Sequence, residues 1–151
     1  MDKTSVDDIL NFAILSEQSA ARFYTDLAAK MDNRAMRDVF EEFARQEQAH
    51  KAKLEKVKRE GMTVLAPSKD VPDLKIADYL VDVEPKPDMT YVEAIVVAMK
   101  REKAAFKLYT DLAAVAPNED CRNLFLSLAQ EEANHKLRFE LEYDEHVMQE
   151  N

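Results

Sequence analysis

Two short stretches carry the residue types from which a metal site is built: Glu47-Gln48-Ala49-His50 and Glu132-Ala133-Asn134-His135. On a helix, positions i and i+3 share a face, so each pair can turn a carboxylate and an imidazole toward one point. A single pair of this kind usually lies on a solvated surface. Here the two pairs are related by a repeat: Tyr24-Thr25-Asp26-Leu27-Ala28-Ala29 recurs unchanged from Tyr109 to Ala114, an offset of 85 that continues without a gap. The same offset pairs Glu17 with Glu102, Asn33 with Asn118, Phe40 with Phe125, Glu47 with Glu132, and His50 with His135.

The elements that must hold these residues are helices. The chain has 151 residues, a single glycine (Gly61) and an abundance of Ala, Leu, Glu and Lys, so strand and hairpin chemistry is nearly absent. The length fits one domain spanning residues 1–151. Within it each half of the repeat reads as a helical hairpin: helix A about 6–31 with B about 34–60, and helix C about 91–116 with D about 119–148. Ser5 with Asp8 and Thr90 with Glu93 have capping-box spacing. Asn33 and Asn118 are suited to cap helices B and D, and Pro117 stops helix C. Residues 62–89 carry four of the five prolines and have no counterpart in the repeat. At roughly 3.3 Å per residue that segment can cross the roughly 40 Å length of a helix and start helix C parallel to helix B. Leu74 to Val81 within it is a candidate short helix.

Short turns make antiparallel neighbours, and residues equidistant from a turn lie at one height. Glu17 and Glu47 are centred on residue 32, Glu102 and Glu132 on residue 117, so all four glutamates fall near mid-bundle. They also lie on the apolar seams. Helix A runs Leu10, Ala13, Glu17, Ala20, Tyr24, Leu27, and helix C repeats this with Ile95, Ala98, Glu102, Ala105, Tyr109, Leu112. Helix B places Phe40, Phe43, Glu47, His50 and Leu54 inward, and helix D places Phe125, Leu128, Glu132, His135 and Phe139. An unpaired buried carboxylate costs several kcal/mol, and no seam Lys or Arg stands at that level. Two divalent cations would balance four carboxylates and leave both histidines as neutral ligands.

A glutamate from each of two helices with Glu-x-x-His from the other two is the arrangement of di-iron and di-manganese carboxylate bundles. With Glu17, Glu47, His50, Glu102, Glu132 and His135 in that helical order, the chain resembles the rubrerythrin and ferritin-like superfamily, in particular small members without a rubredoxin module. The resemblance implies an all-α ferritin-like four-helix bundle of two repeated hairpins joined by a long crossover. It implies two iron ions on those six residues, with manganese or a mixed pair as the other candidates. Tyr24 and Tyr109 match tyrosines that hydrogen-bond the ligand carboxylates in such proteins, and the expectation is that they orient the bridging ones. The implied activity is reduction of hydrogen peroxide or dioxygen with electrons from an external donor protein. Ferroxidase or iron-storage chemistry and a purely structural metal site are the alternatives. Rubrerythrins carry a further helix C glutamate near the first; here the neighbouring positions are Ala98, Met99, Ala105 and Phe106. Homodimers or higher homo-oligomers are also implied.

Composition narrows the partners. A net charge of -9 disfavours nucleic acid and anionic membrane surfaces. Lone Cys121 excludes both an internal disulfide framework and a four-cysteine iron site within the chain. With acids at the start and no spanning apolar run, the expectation is a cytoplasmic protein. Cys121 reads as a small core residue and His146 as a surface histidine beyond the site.

Overall fold

A computed structural model describes residues 6–60, 89–116 and 118–150 of the chain. Among them are four α-helices and no strand: α1 Val6–Lys30, α2 Arg34–Arg59, α3 Tyr91–Ala114 and α4 Glu119–Glu150. Ser5, Gly61, Pro117 and the crossover with its candidate helix at 74–81 lie outside the described residues.

The helix starts are fixed by side chains that satisfy otherwise unpaired backbone donors. Asn33, in extended conformation, accepts from the Met36 N–H at 3.2 Å. Asn118 accepts from the Cys121 N–H at 2.8 Å. Thr90 and Glu93 close a reciprocal capping box, the Glu93 N–H donating to Thr90 Oγ1 at 3.1 Å and the Thr90 N–H to Glu93 Oε1 at 3.3 Å. α3 stops at Ala114, short of the 116 expected from the sequence. There the Val115 and Ala116 N–H groups reach back only three residues, to Leu112 and Ala113, which tightens the last turn out of α geometry. α4 continues to Glu150, past the expected 148.

The buried apolar residues form two clusters. One joins Leu10 of α1, Leu54 and Val57 of α2, Leu112 of α3 and Phe125 of α4. The other joins Leu27 of α1, Phe40 of α2, Ile95 of α3 and Phe139 of α4. The first set takes the beginning of α1, the end of α2, the end of α3 and the beginning of α4. α1 therefore runs antiparallel to α2, α3 antiparallel to α4, and α2 parallel to α3. This is the ferritin-like order of helix directions.

The clusters differ in kind despite the repeat. Phe23, Phe43 and Phe139 pack around Tyr24 in the second, whereas their repeat counterparts in the first are Leu108, Leu128 and Leu54. Cys121 is buried in the first cluster. His146 is not a plain surface residue: its ring packs edge-on against Tyr91 at 4.8 Å. No helix of the described residues is long and apolar enough to cross a membrane.

Candidate metal centre

Between the two apolar clusters lies a layer of six polar side chains, and they are the only buried polar or charged residues of the described chain: Glu17, Glu47, His50, Glu102, Glu132 and His135. His135, 7% exposed, is the most accessible of them. Each helix contributes because its apolar stripe passes through the bundle centre and is interrupted there by a glutamate, followed one turn later on α2 and α4 by a histidine.

Both imidazoles turn Nδ1 toward the carboxylates. His50 Nδ1 lies 2.7 Å from Glu132 Oε1 and 3.7 Å from Glu17 Oε2. His135 Nδ1 lies 3.3 Å from Glu47 Oε1 and 3.5 Å from Glu102 Oε2. The two rings are nearly parallel, 8° apart with centroids at 5.9 Å. Two overlapping sets result, Glu17, Glu47, His50 and Glu132 in one and Glu47, Glu102, Glu132 and His135 in the other, with ligand atoms within 4.8 Å of one another in each. Glu47 and Glu132 belong to both and stand where bridging carboxylates would be needed.

The tyrosines reach across the bundle. Tyr24 Oη donates to Glu102 Oε1 at 2.5 Å, and Tyr109 Oη donates to Glu17 Oε1. They therefore bond Glu102 and Glu17, the two glutamates that each belong to one set, and not Glu47 or Glu132, which belong to both. The reason is geometric: each tyrosine sits two turns from the glutamate of its own helix, and α1 and α3 run antiparallel, so the opposite helix's glutamate is the one in reach. Burial pushes both phenols well above their ordinary pKa, with nearby glutamate charge adding to the effect, so they remain protonated donors.

Two residues that the sequence reading passed over complete the layer. His50 Nε2 is 2.5 Å from Glu131 Oε2, and His135 Nε2 pairs with Gln46 Oε1. Acceptors placed at Nε2 favour the tautomer that carries the proton there and leaves Nδ1 for the carboxylate layer. The signal was present in the repeat, since Gln46 and Glu131 are an offset of 85 apart and each precedes a glutamate of the layer. Their pairing across the bundle, from α2 to α4, was not readable locally.

The electrostatics follow from burial. Desolvation and then the charges of neighbouring glutamates raise the pKa of Glu47 and of Glu132 well above the usual carboxylate range. Burial acts the same way on Glu102, but its close contacts with Glu132 and His135 outweigh it and hold Glu102 low. For His50 burial favours the neutral ring, and the contacts with Glu17 and Glu131 overcome it and raise its pKa. Five glutamate oxygens of the layer (Glu17 Oε2, Glu47 Oε1, Glu102 Oε2 and both of Glu132) and both Nδ1 atoms are buried and crowd against one another without a well-directed hydrogen bond. Buried polar atoms normally find partners. Hard anionic oxygens with two imidazole nitrogens are a donor set that fits divalent iron or manganese.

The four-helix order and this carboxylate–histidine layer define a ferritin-like carboxylate bundle. The Rubrerythrin family profile matches residues 8–143, and the chain belongs to that family. Among solved structures it is similar to a hypothetical protein from Pyrococcus furiosus, with 27% identity over 93% of this chain and 89% of that one and a TM-score of 0.73. It is also similar to a putative ferritin-like diiron-carboxylate protein from Thermotoga maritima, with 22% identity over 97% of this chain and 99% of that one and a TM-score of 0.78. No curated protein gives a significant match.

Proposed function

We propose that the chain is a di-iron oxidoreductase in which Glu17, Glu47, His50, Glu102, Glu132 and His135 hold two iron ions. The observation that carries this reading is the crowding of buried glutamate oxygens and histidine Nδ1 atoms that face one another without well-directed hydrogen bonds. Family membership supports it independently. A pair of ferrous ions held there would supply the two electrons that, with two protons, take hydrogen peroxide to water or dioxygen to hydrogen peroxide.

The protein's own residues prepare that chemistry. Tyr24 and Tyr109 each donate to one oxygen of Glu102 and Glu17, which leaves the second oxygen of each turned inward. Burial and neighbouring glutamate charge favour the protonated forms of Glu47 and Glu132, and binding a cation there would require them to give up those protons. The apolar clusters above and below exclude bulk water from the layer. A surface cavity of about 260 Å³ lined by Gln46, Ala49, His50, Lys53, Glu131, Asn134 and His135 offers a small oxidant an approach between α2 and α4. These 151 residues hold a single cysteine and so no four-cysteine iron site, which supports an external protein as the electron donor.

The test is anaerobic loading with ferrous iron followed by stopped-flow oxidation with hydrogen peroxide and, separately, with dioxygen. Saturation at two irons per chain and faster oxidation by peroxide is the expected result. Faster oxidation by dioxygen with iron accumulating beyond two per chain would replace this reading with a ferroxidase.

A further inference from the structure

The six candidate ligands and both tyrosines obey the repeat without exception, but the groups behind the histidines do not. Behind His50 stands a carboxylate, Glu131 Oε2, 2.5 Å from Nε2, with Lys53 Nζ 3.9 Å from its other oxygen. Behind His135 stands a neutral amide, Gln46, whose Oε1 faces Nε2. That amide is fixed in orientation, because its Nε2 donates to Glu42 Oε1 at 3.2 Å and Glu42 in turn pairs with Arg138 at 3.5 Å. The surroundings differ in the same sense. Phe43 packs edge-on against His135 at 4.6 Å, and the repeat places Leu128 at the position equivalent to Phe43.

An imidazole whose Nε2–H faces a carboxylate shares its proton more fully than one facing an amide. Its Nδ1 lone pair is correspondingly more basic, and outer partners of this kind change metal affinity by about 10–100-fold. We infer that the two metal positions are unequal, the position completed by Glu17 and His50 binding its ion more tightly than the one completed by Glu102 and His135, with Glu131 and Gln46 as the positioning residues that set the order. Because Glu47 and Glu132 are common to both positions, the four-carboxylate layer itself supplies no such preference. This inference rests on the dimetal reading above.

The test is an anaerobic titration of the full chain with cobalt(II), which does not turn over under these conditions, followed by calorimetry and proton NMR. Each coordinated imidazole gives a hyperfine-shifted Nε2–H resonance, assigned with His50→Gln and His135→Gln. In the native protein the His50 resonance should appear first, and the isotherm should resolve two steps at least about tenfold apart. Glu131→Gln should merge the steps, and the exchange Glu131→Gln with Gln46→Glu should reverse the order of the resonances, with melting curves showing that both variants fold. Two equivalents bound with the resonances growing together, or an order unmoved by the exchange, would overturn the inference while leaving the dimetal reading intact. Absence of saturable binding at two ions per chain would instead remove the reading on which it rests.

Discussion

Glu47 and Glu132 face opposite demands in the metal-free and metal-loaded layer. Without a cation, burial and mutual repulsion resist their ionisation, and with one they must be charged. Glu47→Gln should therefore raise the melting temperature of the metal-free protein and at the same time abolish stoichiometric binding of two ions, as read by scanning fluorimetry and by elemental analysis. The tyrosines act differently. Tyr109→Phe removes a donor to a buried carboxylate oxygen of Glu17, and Tyr24→Phe does the same to Glu102. Each should cost about 1–3 kcal/mol in chemical denaturation. A loss below a few tenths of a kcal/mol for both would show that these hydroxyls are ordinary core groups.

At the scale of the helices, two kinds of feature hold the ligands at one height. Caps set where each helix begins, and the apolar clusters set how the hairpins pack. Thr90→Ala removes the side-chain acceptor of the capping box at the start of α3, leaving only the backbone N–H to Glu93 bond, and Asn33→Ala removes the cap of α2. Each should cost about 1 kcal/mol, a fall of about 2–4 °C in melting temperature for a chain of this size. Phe40 is fully buried among Tyr24, Tyr91 and Phe139. Phe40→Ala should cost about 3–5 kcal/mol through lost burial and the cavity left behind. A smaller loss would mean that this end of the bundle collapses onto the gap.

For the whole molecule the buried layer makes stability depend on pH in a definite direction. Glu47 and Glu132 are held above the ordinary carboxylate range, so at neutral pH the native chain keeps protons that the unfolded chain has released. Stability then falls as pH rises. His50, raised as well, acts in the same sense: its contribution is complete below the ordinary imidazole value and is lost as pH rises through its folded one. Glu102 is held low, and its contribution is lost only as pH falls below the usual carboxylate range. From about pH 5.5, above the ordinary carboxylate value, to about pH 8, above the ordinary imidazole value, the melting temperature of the metal-free protein should fall. With divalent metal in excess the trend should reverse, since ions compete with protons for the same atoms. Metal at 100 times its dissociation constant adds about 2.7 kcal/mol, and calorimetric melts at both ends of the range with and without metal read both effects.

How far the sequence went can be judged from particular residues. The repeat, the Glu-x-x-His spacing and the position of Glu17 and Glu102 on apolar seams were enough to bring six residues to one level, because helical period and turn position are local properties. Asn33, Thr90 with Glu93, and Asn118 declared three helix starts for the same reason. The narrow seam underestimated the core, since Phe23, Leu108 and Ala129 are also buried: a helix in a globular bundle hides a stripe wider than a coiled-coil seam. What only the tertiary structure decided were the partnerships between hairpins. Tyr24 holds Glu102 and not Glu17, Gln46 meets His135, and Glu131 meets His50, each across a gap of 78 to 89 residues. Contacts of that range depend on how two separate hairpins are rotated against each other, and periodicity along one chain carries no information about that rotation.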